Sequence, residues 1–276
     1  MIDNALLDHV ASICRAAGER IMAVYESSDE LEVTSKADNS PVTRADIAAH
    51  DVLEPALKAL LPGVPVLSEE AAIPSFSIRS QWQRYWLIDP LDGTKEFINR
   101  NGEFTVNVAL IDGHKAVLGV VYVPVLNIMY GGIAGVGAWK TERGKTKPIQ
   151  TRPLQAQIEC GKPVELVASR HHGAREVEGL IARIEAAAGL VATKSMGSSL
   201  KLCLVAEGQA DLYPRLALTS EWDTAAAQAV VEAAGGKVVD INLEPLLYNA
   251  KADILNPFFY VIGDTQYNWE ALLITE

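Results

Sequence analysis

The 276-residue chain predicts a layered protein, α+β in its first half and α/β in its second. Three observations carry that expectation. Two stretches of helical periodicity open the chain, short strand-like runs joined by turns follow, and strands and helices then alternate to the end. Leu6, Val10, Ile13, Cys14, Ala17, Ile21 and Val24 share one helical face, and Asp3 is placed to cap that helix. The segment 34–41 is too polar to pack. Thr43-x-x-Asp46 has the form of a capping box, and Ile47, Leu53, Leu57 and Leu60 continue a second helix that Pro62-Gly63 ends. Strand-like runs come next at 65–68, 85–89, 104–111, 116–122 and 127–132, with Asp112-Gly113 as a hairpin turn. They predict an antiparallel sheet with the two helices on one face. The basic, polar stretch 141–148 reads as a surface hairpin. Further on, 165–169, 237–240 and 259–263 read as strands, and 175–188, 198–207 and 222–234 as helices, the last ended by Gly235-Gly236. The boundary is placed near residue 155, dividing an N-terminal α+β unit, 1–155, from a C-terminal α/β unit, 156–276.

Composition narrows the function classes. Apolar residues make up 49% of the chain, enough for a sizeable core. A formal charge of −11 argues against a nucleic-acid surface, which is basic. It leaves room for a small phosphorylated substrate, because bound metal ions reverse the local field. A simple solvated acidic surface explains the same excess. Cys14, Cys160 and Cys203 are sparse, odd in number and without metal-ligand spacing, so reduced thiols and a cytoplasmic location are expected. No basic segment followed by an apolar run marks a signal peptide, and no apolar stretch reaches bilayer length.

The chemistry is concentrated in Trp86-Leu87-Ile88-Asp89-Pro90-Leu91-Asp92-Gly93-Thr94. An apolar run carries Asp89 to its end, Pro90 interrupts pairing, and Gly93 permits a tight turn. Glu69-Glu70 supplies acid upstream and Glu221-Trp222-Asp223-Thr224 supplies it far downstream. Oxygen ligands of this kind suit hard cations such as Mg²⁺. Paired cations stand about 3.5–4 Å apart and are commonly bridged by one carboxylate. Asp89 is placed for that role. The spacing excludes two other motifs. A calcium loop needs acids at alternate positions, and an aspartyl-phosphate Asp-x-Asp pair needs them two apart. Asp89 and Asp92 are three apart, which favours activated water as nucleophile. Asp46 reads either as a helix cap or as the anchor of a base. His172 reads as a surface histidine or an anion contact, and Lys201 as a solvated helix lysine or a phosphate ligand. Ser169 to His172 follow a strand end, and Gly197-Ser198-Ser199 opens a helix. Trp222 reads as packing that fixes Asp223.

These motifs resemble the inositol monophosphatase superfamily of metal-dependent, lithium-sensitive phosphatases. Three longer stretches, 89–110, 35–49 and 204–215, are similar to bacterial 3′(2′),5′-bisphosphate nucleotidases of sulfate assimilation. Ala227 departs from the superfamily, which commonly has Gly there, and only packing is expected to feel it. The resemblance implies an α-β-α-β-α sandwich of the inositol monophosphatase and sugar phosphatase type. It implies two or three Mg²⁺ per site, one held by Glu69, Asp89 and the Leu91 carbonyl, a second by Asp89, Asp92 and Asp223. Asp46 and Thr94 would orient and deprotonate the attacking water, which displaces the 3′ oxygen in line. Glu69, Leu91, Asp92, Gly93, Thr94, Ser169, His172, Gly197, Ser198, Lys201 and Asp223 would contact substrate. The implied reaction takes adenosine 3′,5′-bisphosphate to AMP and phosphate. Inositol monophosphatase and fructose bisphosphatase activities are the rivals within the class, and a non-catalytic metal- or nucleotide-binding regulator is the rival outside it. No nucleic-acid partner or integral membrane segment is expected, although the bacterial relatives are linked to the inner face of the cell membrane.

Overall fold

The computed structural model describes residues 2–27, 33–35, 41–168 and 174–274. Helix α1 (Asn4–Tyr25) starts where the Leu6 N–H donates to the Asp3 carboxylate at 3.0 Å. A two-stranded antiparallel ribbon, β1 (Val33–Ser35) and β2 (Pro41–Thr43), forms in the segment expected not to pack. Its backbone pairing needs no apolar side chains. Helix α2 (Arg44–Leu60) then opens with the expected capping box.

The first sheet contains β3 (Val66–Ser68), β4 (Arg84–Asp92), β5 (Thr105–Asp112), β6 (Lys115–Val123), β7 (Ile128–Ile133), β8 (Gly137–Glu142) and β9 (Lys145–Ile149), in that order across the sheet. Short helices α3 (Phe76–Arg79) and α4 (Thr94–Ile98) flank β4. All neighbours are antiparallel except β3 and β4. The expected antiparallel sheet is therefore mixed at one edge. The 15-residue gap that holds α3 gives the chain room to return and run parallel. Strands β8 and β9 form the surface hairpin. Its outer strand carries Lys145, Lys147 and Pro148, which blunt a free sheet edge.

The second half adds α5 (Leu154–Glu159), β10 (Val164–Ala168), α6 (Ala174–Ala188), β11 (Val191–Ser195), α7 (Leu200–Ala206), β12 (Leu212–Arg215), α8 (Glu221–Ala233), β13 (Lys237–Asp240), β14 (Phe259–Ile262) and α9 (Glu270–Leu273). The sheet order is β11-β10-β12-β14-β13. Strand β10 runs parallel to β11 and β12, and β14 is antiparallel to β12 and β13. The sequence did not announce β11 and β12. Strand β11 is a half-exposed edge without a buried face. Strand β12 contains Pro214, tolerated because β12 meets β10 only at Leu212.

Five layers result. Helices α1 and α2 cover one face of the first sheet, α7 and α8 lie between the sheets, and α6 covers the far face of the second. The fold is the expected α-β-α-β-α sandwich. Helix α8 comes from the second half yet packs on β4 through β8 of the first sheet. Its small residues Ala226, Ala229 and Ala233 meet Gly119 and Gly132. A Cβ on Gly119 would overlap the Ala226 carbonyl, and one on Gly132 would lie 2.7 Å from the Val230 Cα. One core therefore spans both halves, joining Tyr85, Val121 and Tyr130 to Tyr213, Trp222 and Val230. Each such large side chain contributes about 1.5–3 kcal/mol on burial. Ala227 is buried in the same helix, so its methyl acts in packing alone. Buried Asp211 accepts both Nε and Nη2 of Arg152, at 2.7 and 2.6 Å, and fixes the passage between the sheets.

Candidate active site

The end of β4 brings the acids together. The Glu69 N–H donates to the Ile88 carbonyl at 3.2 Å, so parallel pairing of β3 with β4 sets Glu69 beside Asp89. Strand β4 continues to Asp92, but its register slips between Asp89 and Asp92. Pro90 sits in the slip. The Leu91 N–H turns back to Asp89 Oδ1 at 3.0 Å. Gly93 then adopts a φ of 95°, the left-handed region where a side chain is strained, and α4 begins at Thr94.

Asp223 arrives on the first turn of α8, where the Ser220 N–H donates to its Oδ2 at 2.9 Å. That helix start is fixed by a buried cluster. Glu221 accepts the Asn249 N–H on both carboxylate oxygens, at 3.0 and 2.9 Å. Arg79 donates to the Asn249 side chain and to the carbonyls of Lys251 and Ala252. Burial pushes the Glu221 carboxyl up to about 7 against the opposing pull of the Asn249 N–H and Arg79. Trp222 is buried in the core and fixes the helix, as expected.

Ligand atoms of Glu69, Asp89 and Asp223 all lie within 4.8 Å of one another. Burial raises the Asp89 carboxyl well above its ordinary value, and the charges of Glu69, Asp92, Asp223 and Asp46 raise it further. Burial does the same to Asp223, with Asp92 and Glu69 adding to it. The charges that crowd Asp89 are all acidic. A dense, oxygen-only donor set in which carboxylates crowd one another fits divalent cations such as Mg²⁺.

Asp46 caps its helix with one oxygen and faces Thr94 with the other. Its Oδ2 accepts the Thr43 N–H at 2.8 Å and the Thr43 hydroxyl at 2.6 Å, which is the helix cap. Its Oδ1 accepts the Thr94 hydroxyl at 3.4 Å. The pair expected from sequence is thus brought together across the gap between α2 and α4.

Beside the acids lies a cavity of about 230 Å³, lined in part by Asp92, Gly93, Ser198, Lys201, Arg215 and Asp223. Lys201 is not a solvated helix lysine. It is only 8% exposed, and burial brings its amine down to about 8. Its Nζ donates to the Met196 carbonyl at 3.3 Å. Gly197 stands on the same loop, its N–H bonded to Glu103 at 2.6 Å. A side chain there would press on Glu96 and Glu103. Ser198 holds a φ of 46° and leaves a buried hydroxyl with no hydrogen-bond partner among the described residues. Ser169 and His172 lie outside the described residues.

Two residues escaped the sequence reasoning. Arg215 lines the cavity, and its buried Nε has no hydrogen-bond partner among the described residues. Ser199 donates its N–H to Asp92 Oδ2 at 2.6 Å and stands with its hydroxyl 2.7 Å from the same oxygen. A strand-end arginine and the second serine of a pair are weak signals on their own.

With the fold and the acid cluster in place, the class is settled: residues 4–275 match the inositol monophosphatase family, and the chain belongs to it. Within the family it is 53% identical to the 3′(2′),5′-bisphosphate nucleotidase CysQ of Escherichia coli K12, over 93% of this chain and 99% of that one. It is 35% identical to the CysQ nucleotidase of Haemophilus influenzae, over 98% and 97% of the two chains. Among solved structures, CysQ from Bacteroides thetaiotaomicron is 42% identical with a TM-score of 0.77, covering 93% of this chain and 96% of that one. An inositol monophosphatase from Zymomonas mobilis, 23% identical with a TM-score of 0.74 over 99% and 98% of the chains, shares the fold.

Proposed function

We propose that this chain is a metal-dependent 3′(2′),5′-bisphosphate nucleotidase that hydrolyses adenosine 3′,5′-bisphosphate to AMP and phosphate. The observation that carries the reading is a buried lysine in a cavity that opens beside the acid cluster. One place can take the phosphate that is cleaved, and another can take a spectator phosphate. The similarity to CysQ nucleotidases supports this reading over inositol or fructose phosphates.

In this proposal Glu69, Asp89 and the Leu91 carbonyl would hold one Mg²⁺, and Asp89, Asp92 and Asp223 would hold a second. The bound metal supplies positive charge for the phosphate and lowers the pKa of water from ~15.7 toward ~7. Thr43 anchors Asp46 by one oxygen, so the other is fixed toward Thr94. The Thr94 hydroxyl gives its proton to that bond, and its oxygen can accept one from the attacking water. A separation of 3.4 Å is long, as catalytic bonds often are without substrate. Backbone N–H groups at the start of α4, at Gly93 and Thr94, lack helical partners and can face the phosphate. Gly197, Ser198 and Lys201 take the nucleotide side, with Ser169 and His172. No described helix is long and apolar enough to cross a membrane.

Phosphate release from adenosine 3′,5′-bisphosphate, with and without EDTA, tests the proposal. Turnover in Mg²⁺ that EDTA abolishes is expected. Tight nucleotide binding without turnover would favour the non-catalytic regulator.

A further inference from the structure

We propose that Ser199 is a positioning residue for Asp92, and through Asp92 for the cation that Asp92 and Asp223 would share. The inference rests on the reading of Asp92 as a metal ligand. Three donors converge on one oxygen of Asp92. Its Oδ2 is reached by the Ser199 N–H at 2.6 Å, the Ser199 hydroxyl at 2.7 Å and Asn107 Nδ2 at 3.3 Å, while the Thr105 hydroxyl stands 3.4 Å away with its proton on Asn107 Oδ1. No donor among the described residues reaches Oδ1 by a hydrogen bond. Asp92 is therefore held by one oxygen and offers the other. Glu69, Asp89 and Asp223 form the tight group of ligand atoms, and Asp92 stands beside it, held by the protein.

The same serine touches the third acidic segment. Its hydroxyl lies 2.8 Å from the Asp223 carbonyl and accepts Asn107 Nδ2 at 2.8 Å. The hydroxyl has one proton, and the Asp92 carboxylate is both the nearer and the charged acceptor. Asn107 is itself held by the Thr105 hydroxyl at 3.0 Å. Ser199 is 1% exposed, so its rotamer is set by packing. It sits one residue after the strained Ser198 and two before Lys201. The loop that would hold the nucleotide is thus bonded directly to an acid that would hold metal. A hydrogen-bond partner behind a metal ligand fixes its orientation, and losing it typically costs about 10- to 100-fold in metal affinity.

The test is calorimetric titration of chelator-stripped protein with Mg²⁺, beside the Mg²⁺ concentration that gives half-maximal turnover. Ser199→Ala should weaken Mg²⁺ binding at one position by about 10- to 100-fold. The KM for adenosine 3′,5′-bisphosphate at saturating Mg²⁺ should stay close to that of the unaltered protein, a split that general loosening of the loop does not produce. Ser199→Cys fills similar space with a weak S–H donor, so it should shift Mg²⁺ affinity the same way even where the alanine variant fails to fold. Asp92→Asn separates the two levels of the argument. Unchanged Mg²⁺ affinity in Asp92→Asn defeats the reading of Asp92 as a ligand. Weakened affinity in Asp92→Asn with unchanged affinity in the folded Ser199 variants overturns the positioning role alone.

Discussion

Lys201 presents a buried amine to the cavity, and substrate choice should turn on it. A charge-assisted hydrogen bond is worth about 1.5–3 kcal/mol, roughly 10- to 150-fold in kcat/KM. Lys201→Ala is expected to lose that factor on adenosine 3′,5′-bisphosphate, mostly through KM, and far less on 3′-AMP. Equal losses on the two would show that Lys201 does not read the 5′-phosphate. Because burial brings the amine down to about 8, the free enzyme is charged there below that pH and neutral above it. The kcat/KM for the bisphosphate should therefore fall above pH 8, and that fall should be absent in Lys201→Ala. At the acid cluster, Asp89→Asn should abolish turnover more completely than Glu70→Gln, since Asp89 is surrounded by the other acids. Similar residual activity in both variants would remove Asp89 from the bridging role. The raised carboxyl of Asp89 means that its ionisation disfavours the folded state at neutral pH. Stripped of metal, Asp89→Asn should then unfold at a temperature no lower than the unaltered protein; earlier melting would contradict this. These acids were legible because they fall in short motifs of rare composition. Ser199 and Arg215 were not, because their roles come from where the chain brings them.

At the scale of elements, α8 against β6 and β7 is the contact that orders the molecule. Gly119→Ala places a methyl against the Ala226 carbonyl, with only backbone to yield. Overpacking of this kind costs about 1–3 kcal/mol. Urea unfolding should show a lower midpoint with an unchanged slope, and an unchanged midpoint would mean that the helix is not so closely seated. Periodicity announced α1, α2, α6 and α8 because each has a buried face several turns long. It could not announce α3 or α4, which are four and five residues long. Strand β3 was visible, but its parallel pairing was not, since pairing direction depends on the path of the intervening chain. Lys201 was open to reading as a solvated lysine for a related reason. Every residue of α7 is buried, Lys201 included, so the helix has no solvent face to put it on.

For the whole molecule, the sequence boundary near 155 lies close to the passage between sheets at 150–153. We propose it as a change of sheet and not as a cut between independent cores. A fragment 1–155 lacks α8, so Tyr85, Val121 and Tyr130 would lose partners across the core. It should lack a cooperative thermal transition, and a sharp one would favour two independent domains. The alternation of elements was readable, whereas the insertion of α8 between the sheets was not. Its run of small residues hints at close packing on more than one side without saying against what. Mg²⁺ should raise the melting temperature in proportion to the logarithm of its concentration, because in the proposed site it would bind only the assembled acids. In the proposed function, one site joins a cation-binding acid cluster to a second place for a phosphate. The most direct measurement is kcat/KM in Mg²⁺ for adenosine 3′,5′-bisphosphate, 3′-AMP, inositol 1-phosphate and fructose 1,6-bisphosphate under identical conditions. The nucleoside bisphosphate is expected to lead the other three by at least about tenfold, the lower bound for one charge-assisted contact. An inositol or fructose phosphate hydrolysed as well as the nucleotide would contradict it.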